Sequence, residues 1–194
     1  MKEIVFKWID YLEYEMEILN LREEIYVQEQ GFSREVIFRH STDPQGLHLA
    51  AFCSKELIGM VSAYVLPFNH SSLISLALPK EDKIFVQPTS YMLRKEFRKG
   101  CVGYLIGAIL ITNTYENIEF DRFVVFVIGP HAKLLNFYQQ DFHFFSHGTY
   151  YTKFGEGSVL LTKRKKDYYD TYEKLKLNVN KLFNMDNVAF YFDL

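Results

Sequence analysis

The segment that decides the fold is Ser90–Leu110, which reads SYMLRKEFRKGCVGYLIGAIL. An extended stretch runs into a short basic loop with two glycines, Gly100 and Gly103, and this loop opens an apolar helix. The first amides of a helix have no partner inside it, and the helix dipole adds partial positive charge there. The segment therefore favours a site for an anion such as a pyrophosphate, although short glycine-containing loops also serve as plain connections.

Composition narrows the class of protein. The chain has 194 residues, 48% hydrophobic and 17% aromatic, so it can bury a large core and disorder is not expected. Its net charge of −2 lacks the basic excess of nucleic-acid binders. No apolar run reaches the roughly 18 residues of a membrane span, and Lys7 and Asp10 argue against a signal peptide. Cys53 and Cys101 form no metal-binding spacing. We expect a reduced, cytoplasmic, metal-free protein without nucleic-acid or membrane partners.

Hydrophobic periodicity predicts one α/β domain. An apolar stripe with helical spacing predicts a first helix that Asp10 caps and Gly31 ends. The other predicted strands are residues 3–9, 48–54, 57–66, 90–97 and 123–128. One helix is predicted from the basic loop to about residue 114 and another at 131–140. Two final strands and a C-terminal helix follow. This order implies a mixed sheet flanked by helices. Residues 1–165 form the predicted domain, and residues 166–194 a helical appendage that packs on it or on a second subunit, as in a homodimer.

The loop FRKGCVG resembles the acyl-CoA-binding loop of the GNAT superfamily of N-acyltransferases, whose pattern is Arg/Gln-x-x-Gly-x-Gly/Ala. Arg98 matches the first position and Gly103 the last, whereas Cys101 stands where the central glycine is expected. The amides of a loop bind phosphate whatever side chain each residue carries. The loop therefore retains the main feature of the pattern.

Two further segments are similar to the same family. Residues 134–151, LLNFYQQDFHFFSHGTYY, resemble its later helix and strand, with Phe137 and Tyr138 in register and Asp141 in place of a glycine. Residues 21–32, LREEIYVQEQGF, followed by Asp43 and His48, resemble the opening helix and second strand of one branch of the family. The three segments occur in the order and spacing of a single fold.

The resemblance implies an acyl-CoA co-substrate, acetyl-CoA first of all, between two parallel strands that splay apart in a twisted, mostly antiparallel sheet. The residues implied for the pantetheine arm are Met92, Leu93 and Arg94, with the Leu93 amide near the oxyanion. The residues implied for the pyrophosphate are Arg98, Lys99, Gly100, Cys101, Val102 and Gly103. Tyr138 would protonate the leaving thiolate. The residues expected to contact the acceptor are Tyr26, Glu29 and Tyr91.

The implied activity is the transfer of an acyl group, an acetyl group first of all, from acyl-CoA to a primary amine of a small molecule or peptide. The base that deprotonates the amine is left open between Glu29, Asp43 and a chain of water molecules. One alternative is a longer-chain synthase of the acyl-homoserine-lactone or N-acyl-amino-acid type, supplied by an acyl carrier protein. Another is a GNAT-like module that binds without catalysis.

Two local features have alternative interpretations. Cys101 at a helix N-terminus would be a reactive thiol if its pKa were lowered, although most cysteines are inert. The basic run Lys163–Lys166 would bind a phosphate, nucleic acid or a membrane, or would simply be solvated.

Overall fold

The structure, a computed structural model, describes residues 3–36, 43–67, 78–79, 81–128, 132–151, 157–183 and 190–193. Its strands are β1 (Ile4–Ile9), β2 (Leu47–Cys53), β3 (Glu56–Pro67), β4 (Ile84–Leu93), β5 (Arg122–Ile128), β6 (Phe145–Tyr151), β7 (Gly157–Arg164) and β8 (Phe190–Asp193). Its α-helices are α1 (Glu15–Arg22), α2 (Val102–Asn117), α3 (Ala132–Asn136) and α4 (Tyr169–Phe183). Two segments are π-helical, Glu23–Glu29 and Phe137–Asp141.

The strands form one sheet in the order β6-β7-β5-β4-β3-β2-β1-β8. β1 with β2, β2 with β3, β5 with β7 and β6 with β7 are antiparallel, whereas β4 with β5 and β1 with β8 are parallel. Among the described residues, the β4–β5 ladder consists of Phe85↔Arg122 and Val86↔Phe123, although both strands continue beyond it. A mixed, mostly antiparallel sheet with a short parallel pair and helices confirms the predicted fold class.

The chain divides into two compact units, of which the first comprises Met1–Tyr64, Ser90–Leu110 and Leu177–Leu194. Its core draws on β1, the first helix, the β2–β3 hairpin and the end of β4. The buried members are Ile9, Tyr11, Ile18, Leu21, Ile25, Ala50, Leu57, Met60 and Met92. The apolar stripe predicted for the first helix thus faces this core, as helical spacing requires.

The second unit comprises Val65–Thr89 and Ile111–Lys176. β5 pairs with β7 along its whole length, and Phe123 at its start is fully buried. The unbroken apolar run of β5 therefore forms an internal strand, as predicted. At the start of α4, Tyr172 stacks on Tyr115 of α2 with ring centroids 4.6 Å apart.

Three elements differ from the predictions. β4 spans Ile84–Leu93 and a 3-10 turn follows it, so the predicted bounds of the strand at 90–97 are wrong: the strand starts and ends earlier. Asp10 accepts a hydrogen bond from Leu12 N–H at 2.7 Å and stabilises the turn before α1, rather than capping the helix itself. β8, which pairs with β1, was not predicted. The domain boundary at residue 165 and the homodimer stay predictions.

Candidate functional site

β4 contains a residue with a left-handed backbone. Ser90 has a φ of +51°, a conformation that few residues other than glycine adopt. Within a strand such a residue interrupts the regular ladder in the manner of a bulge, and strained positions of this kind cluster at ligand-binding sites. Nothing in the local sequence indicates it, because serine is not a turn signal inside an apolar strand.

The end of β4 is fixed on the side of β3. Arg94 N–H donates to Ile58 O at 2.9 Å, and the Arg94 carbonyl accepts from Phe97 N–H at 3.0 Å. These bonds occupy the backbone groups of Arg94 that were expected to bind the pantetheine arm. Because successive residues of a strand point their backbone groups to opposite edges, Leu93 N–H is directed away from β3.

The loop that follows β4 is exposed and leads into α2. Its exposed members are Lys95, Glu96, Arg98, Lys99 and Gly100. Leu105 N–H donates to Cys101 O at 2.8 Å and closes the first turn of α2, so the amides of Val102 and Gly103 precede that bond. A Cβ on Gly100 would meet no atom within 4 Å. Open space and helix N-terminal amides thus coincide in residues 98–103, which we call the cradle.

Close packing around residue 103 explains why this position is a glycine. A Cβ at this position would lie 3.3 Å from the Tyr91 hydroxyl and 3.4 Å from Leu93 Cδ2, so a larger residue requires both side chains to shift. The Tyr91 hydroxyl donates to the Gly103 carbonyl. Tyr91, expected to contact the acceptor, is therefore held against the first turn of α2 beside the cradle.

Two residues predicted for different ligands meet at the cradle. Arg98 Nη2 lies 2.7 Å from Glu29 Oε2, and Arg98 Nε donates to Leu93 O at 2.6 Å. Sequence reasoning placed Arg98 with the pyrophosphate and Glu29 with the acceptor. The structure brings the Glu29 carboxylate to the cradle, and because the two residues are far apart in the sequence, no local signal revealed the pair.

Tyr26 lies in the π-helical segment Glu23–Glu29 and packs against the core of the first unit. Its ring centroid is 6.2 Å from that of Phe32, and Phe32 N–H donates to Tyr26 O at 2.9 Å. Burial raises the pKa of Tyr26 to about 12. The residue therefore stays neutral at physiological pH, and its ring has a clear packing role.

A buried polar network in the first unit was not predicted. Arg22 binds both carboxylate oxygens of Asp43, at 2.9 and 3.0 Å, and the Tyr64 hydroxyl donates to the same carboxylate at 2.7 Å. Both charged side chains are 1% exposed. Asp43 was a candidate base for the acceptor amine. That assignment is wrong, because its carboxylate is buried and bound by three donors, two of them on an arginine that stays protonated.

His48 completes this network. Its Nε2 lies 2.6 Å from Asp43 O, and its Nδ1 lies 2.8 Å from Ser62 Oγ. A carbonyl only accepts, so Nε2 carries the proton and the neutral ring accepts from the serine hydroxyl at Nδ1. Burial lowers the pKa of His48, which agrees with a neutral ring. The pattern of Asp43 followed by His48 thus marks a structural network.

Tyr138 lies in the second unit, in the π-helical segment Phe137–Asp141, and is buried. Its ring centroid is 5.7 Å from that of Phe137 and 5.9 Å from that of Phe144. Phe144 N–H donates to Tyr138 O at 3.1 Å. Tyr26, Glu29 and Tyr138 therefore all belong to π-helical turns, which are frequent at functional sites.

The surroundings of Cys101 argue against the alternative of a reactive thiol. Burial raises the pKa of the Cys101 thiol above its ordinary value, whereas a nucleophilic cysteine needs a lowered one. The side chain lies at the cradle as a partly buried neutral group.

Most side chains of the basic run Lys163–Lys166 contact other residues of the protein. Lys163 Nζ lies 4.4 Å from the centre of the Phe145 ring, Arg164 Nη2 lies 2.6 Å from Glu81 Oε1, and Lys165 Nζ donates to Ile118 O at 2.6 Å. These contacts assign the run a structural role. Within the described ranges, no group of histidine, cysteine and carboxylate side chains is arranged to hold a metal, and no helix is long and apolar enough to cross a membrane.

Comparison with known proteins gives a match at the level of structure. No protein-family model and no curated protein sequence matches the chain. Arabidopsis thaliana NAA60 in complex with acetyl-CoA is 16% identical with a TM-score of 0.61, over 83% of this chain and 98% of that one. The CoA-dependent acyl-homoserine lactone synthase BjaI, solved with SAM and isopentyl-CoA, is 15% identical with a TM-score of 0.65. The match covers 100% of this chain and 94% of that one.

A third similar structure is the GNAT-family acetyltransferase from Streptococcus pneumoniae, 12% identical with a TM-score of 0.59 over 84% of this chain and 99% of that one. At these identities the likeness establishes the architecture of the chain. The protein has the GNAT fold, in agreement with the resemblance of the loop at Arg98–Gly103.

Proposed function

We propose that the protein is an N-acyltransferase that moves an acyl group, first of all acetyl, from acyl-CoA to a primary amine. The observation that carries this proposal is the cradle, where α2 begins beside open space at Gly100, a short loop after the strand in which Ser90 has a left-handed backbone. Helix N-terminal amides, two exposed cations and room for a ligand suit a pyrophosphate. The GNAT fold supports the same assignment.

These contacts support the assignment of residues to the co-substrate. The amides of Val102 and Gly103 and the side chains of Arg98 and Lys99 bind the pyrophosphate. At the thioester end of the pantetheine arm, the Leu93 N–H is retained because it is directed away from β3, whereas the Met92 carbonyl lies on the side of Gly59 in β3. Arg94 is left out, because its backbone groups are bonded to Ile58 and Phe97.

The chemistry assigned to the chain is an amide-forming displacement at the thioester. The amine nitrogen attacks the carbonyl carbon, the carbon–sulfur bond breaks, and the sulfur takes a proton from the Tyr138 hydroxyl. Leu93 N–H, directed away from β3, donates to the carbonyl oxygen as negative charge develops on it. The amine loses its own proton to water, because Asp43 is buried in its ion pair and Glu29 is held at the cradle. A proton taken up from water restores the Tyr138 hydroxyl after the thiol has formed.

The acceptor is a primary amine on a small molecule or a peptide. Tyr91 and Tyr26 are proposed to contact it, Tyr91 from its position beside the cradle. The compartment in which the reaction occurs, predicted as the cytoplasm, stays a prediction.

A second candidate is a synthase that uses a longer acyl chain. The likeness to BjaI extends over 100% of this chain, whereas the likeness to NAA60 covers 83%. A panel of acyl-CoA and acyl-carrier-protein thioesters from two to ten carbons distinguishes the candidates. A preference for acetyl favours the first, and a preference for long chains favours the second.

The proposed chemistry is tested by the release of CoA thiol from acetyl-CoA in the presence of a panel of amines. Tyr138→Phe keeps the aromatic packing and removes the donor, so we expect a fall in kcat of about 10²–10⁴-fold with little change in the affinity for acetyl-CoA. Tyr169→Phe, the same change at an exposed tyrosine, is the matched control. A folded protein that releases no thiol with any donor and acceptor would instead be a binding module.

A further inference from the structure

We propose that Glu29 is a displaceable counter-ion of the cradle, which competes with the phosphates of the co-substrate for Arg98 and so sets the affinity for CoA. The inference deepens the proposed function and rests on it. It assigns Glu29 to the cofactor side of the site rather than to the acceptor.

The contacts place Glu29 where a phosphate oxygen is expected to bind. Arg98 Nη2 pairs with Glu29 at 2.7 Å, and the two side chains are 40% and 27% exposed. Arg98 Nε is taken by Leu93 O at 2.6 Å, which fixes the direction of the guanidinium. A guanidinium has five N–H donors, so the outer ones remain to meet a ligand once the carboxylate moves aside.

The π-helical geometry of Glu23–Glu29 makes this contact possible. Glu24 Oε2 lies 3.0 Å from Arg94 Nε, and the Glu29 carboxylate pairs with the Arg98 guanidinium. The hydrogen bonds of a π-helix join residues five apart, so Glu24 and Glu29 share a face, whereas an α-helix would separate them by about 140°. Two carboxylates of one segment thereby reach two arginines of the β4–α2 connection, and only Glu29 reaches the cradle.

The exposure of the pair makes it displaceable. Exposed ion pairs contribute little free energy, because water and salt screen them. A pyrophosphate carries more charge than one carboxylate and binds guanidinium through two parallel hydrogen bonds. While Glu29 is in place it neutralises Arg98, so phosphate binding must first break this contact.

The experiment is calorimetric titration of free CoA into the wild type, Glu29→Gln and Glu24→Gln. We expect Glu29→Gln to bind CoA about two- to fivefold more tightly than the wild type. Glu24→Gln removes the same charge from the same segment but contacts Arg94, so its effect is expected to be smaller. Acetyl-pantetheine, which lacks the pyrophosphate, is expected to bind the wild type and Glu29→Gln equally.

A second background makes the test specific. In Arg98→Gln, the Glu29→Gln substitution is expected to leave the affinity for CoA unchanged, because the contact for which the carboxylate competes is absent. Weaker or unchanged CoA binding by Glu29→Gln, in a wild type that binds CoA, overturns the inference and leaves the proposed function standing. Absence of CoA binding to the folded wild type overturns both.

Discussion

Two arginine–carboxylate pairs in the first unit contain the same chemical groups and differ in their surroundings. Arg22 and Asp43 are each 1% exposed, and Tyr64 adds a third donor to the carboxylate. Arg98 and Glu29 are 40% and 27% exposed, and their contact is a single 2.7 Å pair. The first pair joins parts of the core, whereas Arg98 of the second pair belongs to the exposed cradle.

The difference in burial separates a structural pair from the pair that we propose exchanges with a phosphate. A buried ion is costly to leave without its partner, so the Arg22–Asp43 contact persists as long as the fold does. An exposed ion exchanges its partner for water, salt or a ligand at little cost. The second pair is therefore the one proposed to respond to a phosphate.

The largest change in stability is expected when the buried Arg22–Asp43 pair is broken. Arg22→Met leaves the Asp43 carboxylate buried without its main partner, so we expect a loss of about 3–5 kcal/mol in the free energy of unfolding. Urea denaturation measures it. The double variant Arg22→Met/Asp43→Leu removes both charges and is expected to recover part of the loss. A single variant as stable as the wild type would show that the pair is not structural.

The next largest change in stability is expected from a comparison of Gly59 in β3 with Gly100 in the cradle. A Cβ on Gly59 would lie 2.7 Å from Leu93 Cδ1 and 2.8 Å from Met92 O, whereas one on Gly100 meets nothing within 4 Å. We expect Gly59→Ala to cost about 1–3 kcal/mol of stability and Gly100→Ala to stay within roughly 0.5 kcal/mol of the wild type. Equal stability of the two variants in thermal and urea unfolding would contradict this ranking.

A smaller effect is expected from His48 as the pH changes. Burial lowers the pKa of His48 below its ordinary value of 6.5, so below that pH the unfolded chain takes up a proton that the folded protein does not. Stability therefore falls as the pH drops below 6.5, until the folded pKa is reached, with a slope of at most about 1.4 kcal/mol per pH unit from this group.

His48→Gln removes this titration and keeps an N–H donor for the Asp43 carbonyl. We measure the unfolding free energy of this variant between pH 7 and 5. Its slope against pH is expected to be smaller than that of the wild type by up to about 1.4 kcal/mol per pH unit, which corresponds to one proton. Identical slopes would mean that His48 does not remain neutral in the folded protein.

The smallest effect on stability is expected at the exposed pair. Glu29→Gln is expected to change the free energy of unfolding by less than about 1 kcal/mol, because solvent screens both partners. Urea denaturation of this variant beside Arg22→Met sharpens the comparison directly. A loss as large as that of Arg22→Met would place Glu29 among the structural residues.

Local patterns predicted the parts of the fold that depend on neighbouring residues. The first helix, the β2–β3 hairpin, β5 and the start of α2 follow from spacing, and positive φ at Ser54 and Lys55 closes the hairpin. β4 was placed too late, because Pro88 is a strand breaker in most contexts. β8 depends on pairing with the distant β1, which no local pattern encodes.

The site was predictable to the same extent. The cradle follows from a short continuous segment, so its basic residues and glycines could be identified directly. The left-handed backbone of Ser90 and the partners of Arg98 and Asp43 could not, because they arise only when separate segments are brought together.

The most direct measurement of the central claim is calorimetric titration of acetyl-CoA into the wild type, Gly100→Glu and Gly100→Gln. The open space beside Gly100 lets either side chain fit without disturbing the fold, and only glutamate brings a like charge to the phosphates. We predict that the wild type binds, that Gly100→Glu binds at least about tenfold more weakly, and that Gly100→Gln stays closer to the wild type. Equal binding by Gly100→Glu, or no binding by the folded wild type, would contradict an acyl-CoA site in the cradle.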